Sequence, residues 1–260
     1  MSGTTAAAER DWQAWRERRA EAVCAPYGPL ALTGTHWLAQ AHGGVLDGVP
    51  GRWREDGDAL LLSASAADGL AVDGRPVDGE VRLGPTAEGL AYGNRRLVVL
   101  TREGQWAVRV FDPASAARAA FAGIDAFAYD PQWVLAARLR PYERERTVRV
   151  PNADGRERGL GLGGDLVFQV RGTGHTLAVA VDPDGSLWGV IADRTSGRST
   201  FRFRFIRPPA PDADGSVLLD FNRALLPPCA FADHFVCPFP PPGNTLPFAV
   251  EAGEKAVIRR

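Results

Sequence analysis

The segment from Leu218 to Lys255 constrains the fold of this chain more than any other part of the sequence. It contains seven prolines, and proline both fixes φ and removes a backbone hydrogen-bond donor. The segment therefore cannot be a helix or a central strand, which predicts a stiff, extended path held by side chains and by other parts of the chain. We call residues 221–260 the strap. Polar and reactive residues on such a rigid, irregular path are where a functional site is expected.

The overall composition is that of an ordinary soluble protein, with 45% hydrophobic and 23% charged residues. The 30 lysines and arginines balance 31 acidic residues, so we expect no nucleic-acid partner and no anionic-membrane surface. The N-terminus lacks the apolar core of a secretory signal, and no window approaches about 20 apolar residues. The three cysteines, Cys24, Cys229 and Cys237, do not make a secreted disulfide framework. The expected location is the cytoplasm.

The first 24 residues predict one amphipathic helix. Trp12, Trp15, Arg19 and Val23 fall at helical spacing, and Asp11 is a candidate N-cap, so we expect a helix over about residues 9–24. The tryptophans are expected to pack on the body of the protein. The alternative is a helix that binds a partner through an exposed tryptophan face.

The remainder, about residues 28–220, predicts a β-rich body, because short apolar runs alternate with Gly, Asp and Pro every 8–12 residues or so. Two Asp-Gly pairs in residues 72–79 predict a hairpin, and residues 182–185 predict a tight turn. Residues 159–165, GLGLGGD, precede a strand with no helix after them, so they predict a flexible turn and not a phosphate loop. The predicted fold is mainly β: a single domain over residues 1–260, with an antiparallel barrel-like or sandwich shell. The strands are predicted at residues 59–63, 70–72, 80–83, 97–101, 106–111, 133–139, 147–150, 165–170, 177–181, 187–192 and 200–206.

Several long motifs resemble one family. They are residues 109–133, ADRTSGRSTF (192–201), DFNRALLPPCAF (220–231), CPFPPPGNTLP (237–247) and EAGEK (251–255). Together they are similar to the bacterial and archaeal domain-of-unknown-function family 1684, over nearly the whole chain from about Trp12 to Lys255. The resemblance implies a β-rich domain and brings no established activity.

This chain departs from the family pattern at polar positions. Leu225 and Leu226 stand where the resemblance implies Tyr-Asn, and Phe201 stands where it implies a tyrosine. Residues 243–245 read Gly-Asn-Thr in place of Glu-Asn-Arg, and Arg204 is displaced by one residue, which in a strand moves a side chain to the opposite face. We therefore expect a pocket that is drier and more apolar than in the family.

Cys229, His234 and Cys237 allow three kinds of chemistry. A zinc site usually needs two closely spaced ligand pairs, and here no second pair exists, so buried thiols or a disulfide formed on oxidation are favoured. A Cys-His nucleophile would require a third group, such as Glu251 or Glu254, to orient the imidazole. A redox-sensitive thiol pair is the third interpretation.

Two further stretches have both a structural and a functional interpretation. Asp193, Thr195 and Ser196 predict turn chemistry, in which side chains bond to backbone N–H groups, and the resemblance keeps a catalytic role open. From Phe201 to Arg207 aromatic residues alternate with arginines, which favours a solvated arginine face over one that holds an acidic ligand inside a barrel.

Acids, bases and an amide in and next to the strap are candidates for a site. They are Asp220, Asn222, Arg223, Glu251, Glu254 and Lys255. If these residues converge, mutual charge and burial would shift their pKa values enough for acid–base work. If they do not, they are internal ion pairs that pin the strap. The candidate catalytic residues are Asp193, Asn222, Arg223, His234, Glu254 and Lys255. The candidate ligand-binding residues are Trp37, Thr195, Ser196, Arg204, Leu225, Leu226, Cys229 and Cys237.

The function predicted from the sequence is that of a small-molecule pocket protein. The ligand would be a small organic molecule, and catalysis would be cofactor-free acid–base chemistry such as isomerisation, cyclisation or hydrolysis. No cofactor and no metal is expected. The alternative is a non-catalytic ligand-binding or protein-interaction domain, and a homodimer is the further partner considered.

Overall fold

The computed structural model describes residues 2–85 and 87–260, and within them it contains two α-helices and 17 β-strands. The mainly β prediction is confirmed, with the helix at the N-terminus. The helices are α1 (Ser2–Cys24) and α2 (Ala116–Ala120). The strands are β1 (Leu32–Trp37), β2 (Arg52–Asp56), β3 (Ala59–Ala64), β4 (Leu70–Val72), β5 (Arg75–Pro76), β6 (Gly79–Leu83), β7 (Leu90–Tyr92), β8 (Arg95–Arg102), β9 (Gln105–Phe111), β10 (Phe121–Ala126), β11 (Val134–Pro151), β12 (Glu157–Val170), β13 (Thr173–Val181), β14 (Leu187–Ile191), β15 (Arg204–Ile206), β16 (Ser216–Asp220) and β17 (Glu254–Arg259).

Contacts between residues group the chain into two compact units. Unit 1 comprises residues 1–20 and 121–260, and unit 2 comprises residues 21–120. Unit 1 holds one six-stranded sheet in the order β15-β14-β13-β12-β11-β16 and the two-stranded ribbon β10-β17. Unit 2 holds a six-stranded sheet, β1-β9-β8-β7-β4-β5, and a three-stranded sheet, β2-β3-β6. The single domain expected from the sequence stays a prediction.

Helix α1 begins earlier than predicted, at Ser2, so the N-cap expected at Asp11 is wrong. Residues 6–8 are alanines, the best helix formers, and they extend the helix beyond the part with an amphipathic pattern. Trp12 is buried, with 4% of its surface exposed, as the packing prediction requires. No helix among the described residues is long and apolar enough to cross a membrane.

Unit 2 shows how far local signals determine strands. Strand β4 has the predicted limits, and Asp73 and Gly74 turn it into β5 with φ values of 49° and 74°. Positive φ at both central residues is the two-residue turn that Asp-Gly favours. The apolar side chains of these strands close a core that includes Trp53, Leu60 and Val108.

Unit 1 is built on the long hairpin β11–β12, whose inward side chains alternate with outward ones along β12. Leu166, Phe168, Leu177 and Val179 form the centre of its core, and Phe221 at the start of the strap packs against Phe168 with ring centroids 5.8 Å apart. The strap thus begins from the middle of the apolar core.

The flexible turn predicted at residues 159–165 is wrong, because these residues lie inside β12. The glycines make room for the neighbouring strand β11, which has an irregular register between Pro141 and Arg146. A Cβ atom on Gly161 would lie 2.3 Å from Glu145 Oε1, and one on Gly164 would lie 2.8 Å from the Arg140 carbonyl oxygen. Close approach of the backbone accounts for Gly164, whereas the atom nearest to a Cβ on Gly161 is the end of a side chain.

Candidate functional site

Buried asparagine side chains hold the irregular strap to the sheet. Asn222 Oδ1 accepts from the Asp130 backbone N–H (3.0 Å) and its Nδ2 donates to the Asp130 carbonyl (2.9 Å). Asn244 makes the same two bonds with the backbone of Ala178, each at 2.8 Å. Each amide therefore supplies the donor and acceptor that a neighbouring strand would supply, which the proline-rich backbone cannot do for itself.

Asp193 lies in a tight loop over residues 192–200, and its carboxylate is fully buried. Its Oδ1 accepts from the Thr195 backbone N–H (2.7 Å) and from Thr195 Oγ1 (2.6 Å). Ser196 Oγ in turn accepts from the Asp193 backbone N–H at 3.0 Å. These are the turn contacts that the sequence predicted for the three residues.

Arg204 is the partner of Asp193, and it too is fully buried. One guanidinium nitrogen donates to Asp193 Oδ2 (2.7 Å) and to the Val250 carbonyl (2.9 Å), and the other donates to the carbonyl of Ala252. Burial lowers the pKa of Arg204, and the charge of Asp193 opposes this shift. The Asp193–Arg204 pair thus fastens the end of the strap to the loop at residues 192–200.

The predicted solvated arginine face is therefore wrong at Arg204, although Arg202 and Arg207 are exposed. The alternation rule assumes a continuous strand from residue 200, whereas β15 begins only at Arg204. Before it, the Thr195 carbonyl accepts from the backbone N–H groups of residues 198–200, so the chain there is a loop. Phe203 and Phe205 are buried together with Arg204.

Glu254 is a second buried carboxylate, with 2% of its surface exposed. Its Oε1 accepts from Arg19 Nε of α1 (3.1 Å), and its Oε2 accepts from the Leu226 backbone N–H (2.6 Å). Arg19 also donates to the Leu226 carbonyl at 3.0 Å. Burial raises the pKa of Glu254, and the charge of Arg19 opposes this. The Arg19–Glu254 pair satisfies both backbone groups of Leu226 and ties the strap to the helix.

The other charged candidates have separate counter-ions. Arg223 pairs with Asp220 (3.3 Å) and with Asp11 of α1, and Lys255 Nζ lies 2.8 Å from Asp125. Of the two interpretations of the strap charges, this geometry matches internal ion pairs that pin the strap. The backbone carbonyl of Asn222 accepts from Trp12 Nε1 at 2.9 Å, which adds another link to α1.

The remaining candidates lie on different elements of the fold. His234 is exposed on the strap, and Trp37 lies in β1 of unit 2. Leu225 pairs with Phe205 through two backbone hydrogen bonds of 2.8 and 2.9 Å, and Leu226 is fully buried.

Cys229 and Cys237 are buried, reduced and adjacent: the Cys229 backbone N–H donates to Cys237 Sγ at 3.3 Å. Across residues 2–85 and 87–260, no group of three or more His, Cys, Asp or Glu side chains is arranged to hold a metal ion.

An open groove in unit 1 lies between α1 and the β10–β17 ribbon, and we call it the helix groove. Its volume is about 430 Å³. Arg16 crosses it and donates to the Ile124 carbonyl at 3.0 Å, and buried Glu254 is part of its wall. The lining residues are Gln13, Arg16, Glu17, Ala20, Ala122, Gly123, Ile124, Glu254 and Ile258. The groove therefore combines an apolar surface with a few charged groups.

Of the residues that line the groove, Glu254 was predicted from the sequence, and Arg16, Ile124 and Ile258 were not. The signal for the helix side was present, because Arg16 and Arg19 lie four and seven residues after buried Trp12 and so share its side of the helix. The ribbon gave no local signal, because the register that places Ile258 opposite Gly123 joins distant segments.

A mainly β protein with a helix and a proline-rich strap clamped by buried amides and ion pairs is the class that these observations define. The chain belongs to the family described as protein of unknown function DUF1684, whose sequence profile matches residues 119–255. The predicted resemblance is confirmed over this part, whereas its extension back to Trp12 lies outside the match.

Among solved structures, the chain is similar to the solution NMR structure of an uncharacterized protein of Haloarcula marismortui. The two sequences are 32% identical, the match covers 52% of this chain and 77% of that one, and the TM-score is 0.44. No curated protein matches this chain.

Proposed function

We propose that this protein binds a small organic molecule in the helix groove. The observation that carries the proposal is the composition of the groove wall, in which the buried Glu254, paired with Arg19, adjoins an apolar surface formed by Ala20, Ile124 and Ile258. Small-molecule sites are typically concave and mostly apolar, with a small number of polar groups that orient the ligand.

The size and the charges of the groove define the ligand class. A volume of about 430 Å³ is within the usual range of roughly 300–1,000 Å³ for ligand pockets. Arg16 and Glu17 from α1 offer one cation and one anion at the groove, so the ligand would have an apolar body and a polar or zwitterionic end. Arg16 lies over the Trp12 ring, 5.0 Å from its centroid, which orients the guanidinium before a ligand arrives.

A substitution that fills the groove tests the proposal. We expect members of a library of small amphipathic compounds to raise the melting temperature of the wild-type protein, and we expect Ile258→Trp to abolish these shifts, because the larger side chain would occupy the groove. Ile258 is 46% exposed, so the change does not disturb a core.

The matched control is Leu218→Trp, since Leu218 is 58% exposed and is not part of the groove wall. It should keep every shift that the wild type shows. Shifts that survive in Ile258→Trp, or that disappear in both variants, would contradict binding in the helix groove.

A second candidate function, acid–base catalysis in the same groove, is supported by Glu254. Burial favours the neutral form of this carboxyl group and raises its pKa above the usual 4.5, which is the direction of shift that a proton donor needs. Hydrogen bonds to Arg19 and Leu226 fix both of its oxygens. Conversion of a bound ligand by the wild type but not by Glu254→Gln, with binding retained, would support catalysis.

The pH dependence of stability reports the protonation of Glu254 independently of any ligand. Because the folded pKa is raised, the folded chain holds a proton that the unfolded chain releases. The stability due to Glu254 is therefore full below the unfolded value near 4.5 and is lost as the pH rises through the folded pKa. We therefore compare the free energy of unfolding of the wild type and of Glu254→Gln as a function of pH. The wild-type value minus the Glu254→Gln value should be constant at low pH and should fall above about pH 4.5.

Urea unfolding at a series of pH values measures this difference. Glu251→Gln is the control, because Glu251 is an exposed residue of the same segment, and its difference curve should not fall in this way. The opposite result would be a difference in the free energy of unfolding that rises with pH. It would mean that the partners of Glu254 stabilise its carboxylate form, and it would remove the basis for acid catalysis.

A further inference from the structure

Cys229 and Cys237 are in contact in a part of the strap that the proposed groove does not use. The Cys229 backbone nitrogen lies 3.3 Å from Cys237 Sγ, so that sulfur is no more than about 4.8 Å from the Cys229 Cα, by the addition of one N–Cα bond. The two side chains also share a hydrogen bond, so the two sulfur atoms are neighbours, as the formation of a disulfide requires. We propose that Cys229 and Cys237 are a reversible dithiol–disulfide pair that hydroperoxides oxidise.

The backbone around both thiols is fixed. Cys229 lies in a short 3₁₀-helix, Pro228–Ala230, and the carbonyl of Cys237 accepts from the Ala153 backbone N–H at 2.9 Å. Two cysteines held in this way can be bridged without a large rearrangement, and the bridge would close only residues 229–237. The thiols are 5% and 6% exposed, so only a small area of each side chain is open to a reagent.

The surroundings of Cys229 favour the reactive thiolate. A hydrogen bond with the Cys237 thiol, followed by the charge of the Arg202 guanidinium, lowers the pKa of Cys229 although burial opposes the shift. Arg202 is held among aromatic rings, with its guanidinium carbon 4.7 Å from the centroid of Phe239 and 5.6 Å from that of Phe203. A nearby fixed cation is the typical environment of a reactive cysteine.

The chemistry needs only a hydroperoxide. The Cys229 thiolate attacks one peroxide oxygen, the O–O bond breaks, and hydroxide (or alkoxide from an organic hydroperoxide) leaves and takes a proton, which leaves a sulfenic acid on Cys229. The Cys237 sulfur then attacks the Cys229 sulfur, the S–O bond breaks, and water leaves as the disulfide forms. Two thiols and one hydrogen peroxide thus give one disulfide and two waters, and an external thiol reverses the change.

The first experiment maps the oxidised cysteines. Full-length protein with Cys24→Ser, which removes the third thiol, would be treated with hydrogen peroxide, alkylated after denaturation, digested and measured by mass spectrometry. We expect a Cys229–Cys237 cross-linked peptide that dithiothreitol reverses. Both cysteines remaining alkylated, or only irreversibly oxidised forms appearing, would overturn the proposal.

The second experiment tests the role of Arg202. Because the thiolate fraction follows the pKa, Arg202→Gln should slow disulfide formation by roughly 3- to 10-fold. Arg207→Gln, which removes another exposed arginine of the same stretch, should leave the rate unchanged. Equal rates in the wild type and both variants would show that Arg202 does not activate Cys229.

A third variant traps the intermediate. In Cys237→Ser the sulfenic acid on Cys229 has no sulfur to react with, so a dimedone label should accumulate there. No label on a folded variant would count against the proposed order of steps. If this variant fails to fold, the cross-link and the Arg202 rates still decide the proposal.

Discussion

Asp193→Asn should destabilise unit 1 by about 3–5 kcal/mol, because it leaves the buried guanidinium of Arg204 without a counter-charge. The asparagine can still accept the turn hydrogen bonds of Thr195, so the loss reports mainly on the ion pair. Arg204→Met should cost a similar amount for the opposite reason, since it leaves the carboxylate buried alone. Urea unfolding of the single and double variants measures the loss in the free energy of unfolding that each substitution causes.

The double variant tests whether Asp193 and Arg204 stabilise the protein as an interacting pair or independently of each other. If the two charges interact, the combined loss will be well below the sum of the single losses. Asp182→Asn is the matched control, because the Asp182–Arg207 pair is 3.5 Å apart and largely exposed, and such pairs contribute little. Losses in the two single variants no larger than in this control would mean that Asp193 and Arg204 do not clamp the strap.

Trp12→Ala should destabilise the protein by about 3–5 kcal/mol, as truncations of large buried aromatic side chains do. The indole is 4% exposed, packs on the Tyr129 ring with centroids 5.7 Å apart, and donates to the Asn222 carbonyl. The change therefore removes apolar contacts and leaves a buried carbonyl without its donor. The shift of the urea midpoint measures the loss.

Trp15→Ala is the control, because Trp15 lies on the same helix but is only half-buried and stacks on the side chain of Arg223. Its loss should be clearly smaller. Equal losses would mean that α1 does not dock through Trp12. No loss in either variant would favour the alternative in which the helix presents its tryptophans to a partner.

Local sequence signals predicted the strands well where the pattern is short-range. The turn at Asp73 and Gly74 needs only two residues with positive φ, and the sequence specifies them. The glycines of β12 misled the prediction, because the same residue type suits a turn and a close approach between strands. Only the position of the Arg140 carbonyl beside Gly164 distinguishes the two, and that contact is set by the register of the hairpin.

The sequence predicted individual residues of the candidate site but not the contacts between them. The sequence identified Asp193 as a turn residue and Glu254 as a strap acid, and both are buried hydrogen-bonding centres. It did not predict that Arg204 turns inward to Asp193, because the burial of an arginine depends on a counter-charge brought by the tertiary fold. The helix groove was beyond local reasoning, since its walls come from three separate parts of the chain, residues 13–20, 122–124 and 254–258.

The link between α1 and the strap also bears on how the protein is made. Arg19 and Glu254 are 235 positions apart, so the helix cannot find its carboxylate partner until the ribosome has added all the residues between them. Trp12 likewise stays open to water and to chaperones until its partners Tyr129 and Asn222 have been added. Docking of the strap on α1 therefore follows the synthesis of all the residues that separate this pair.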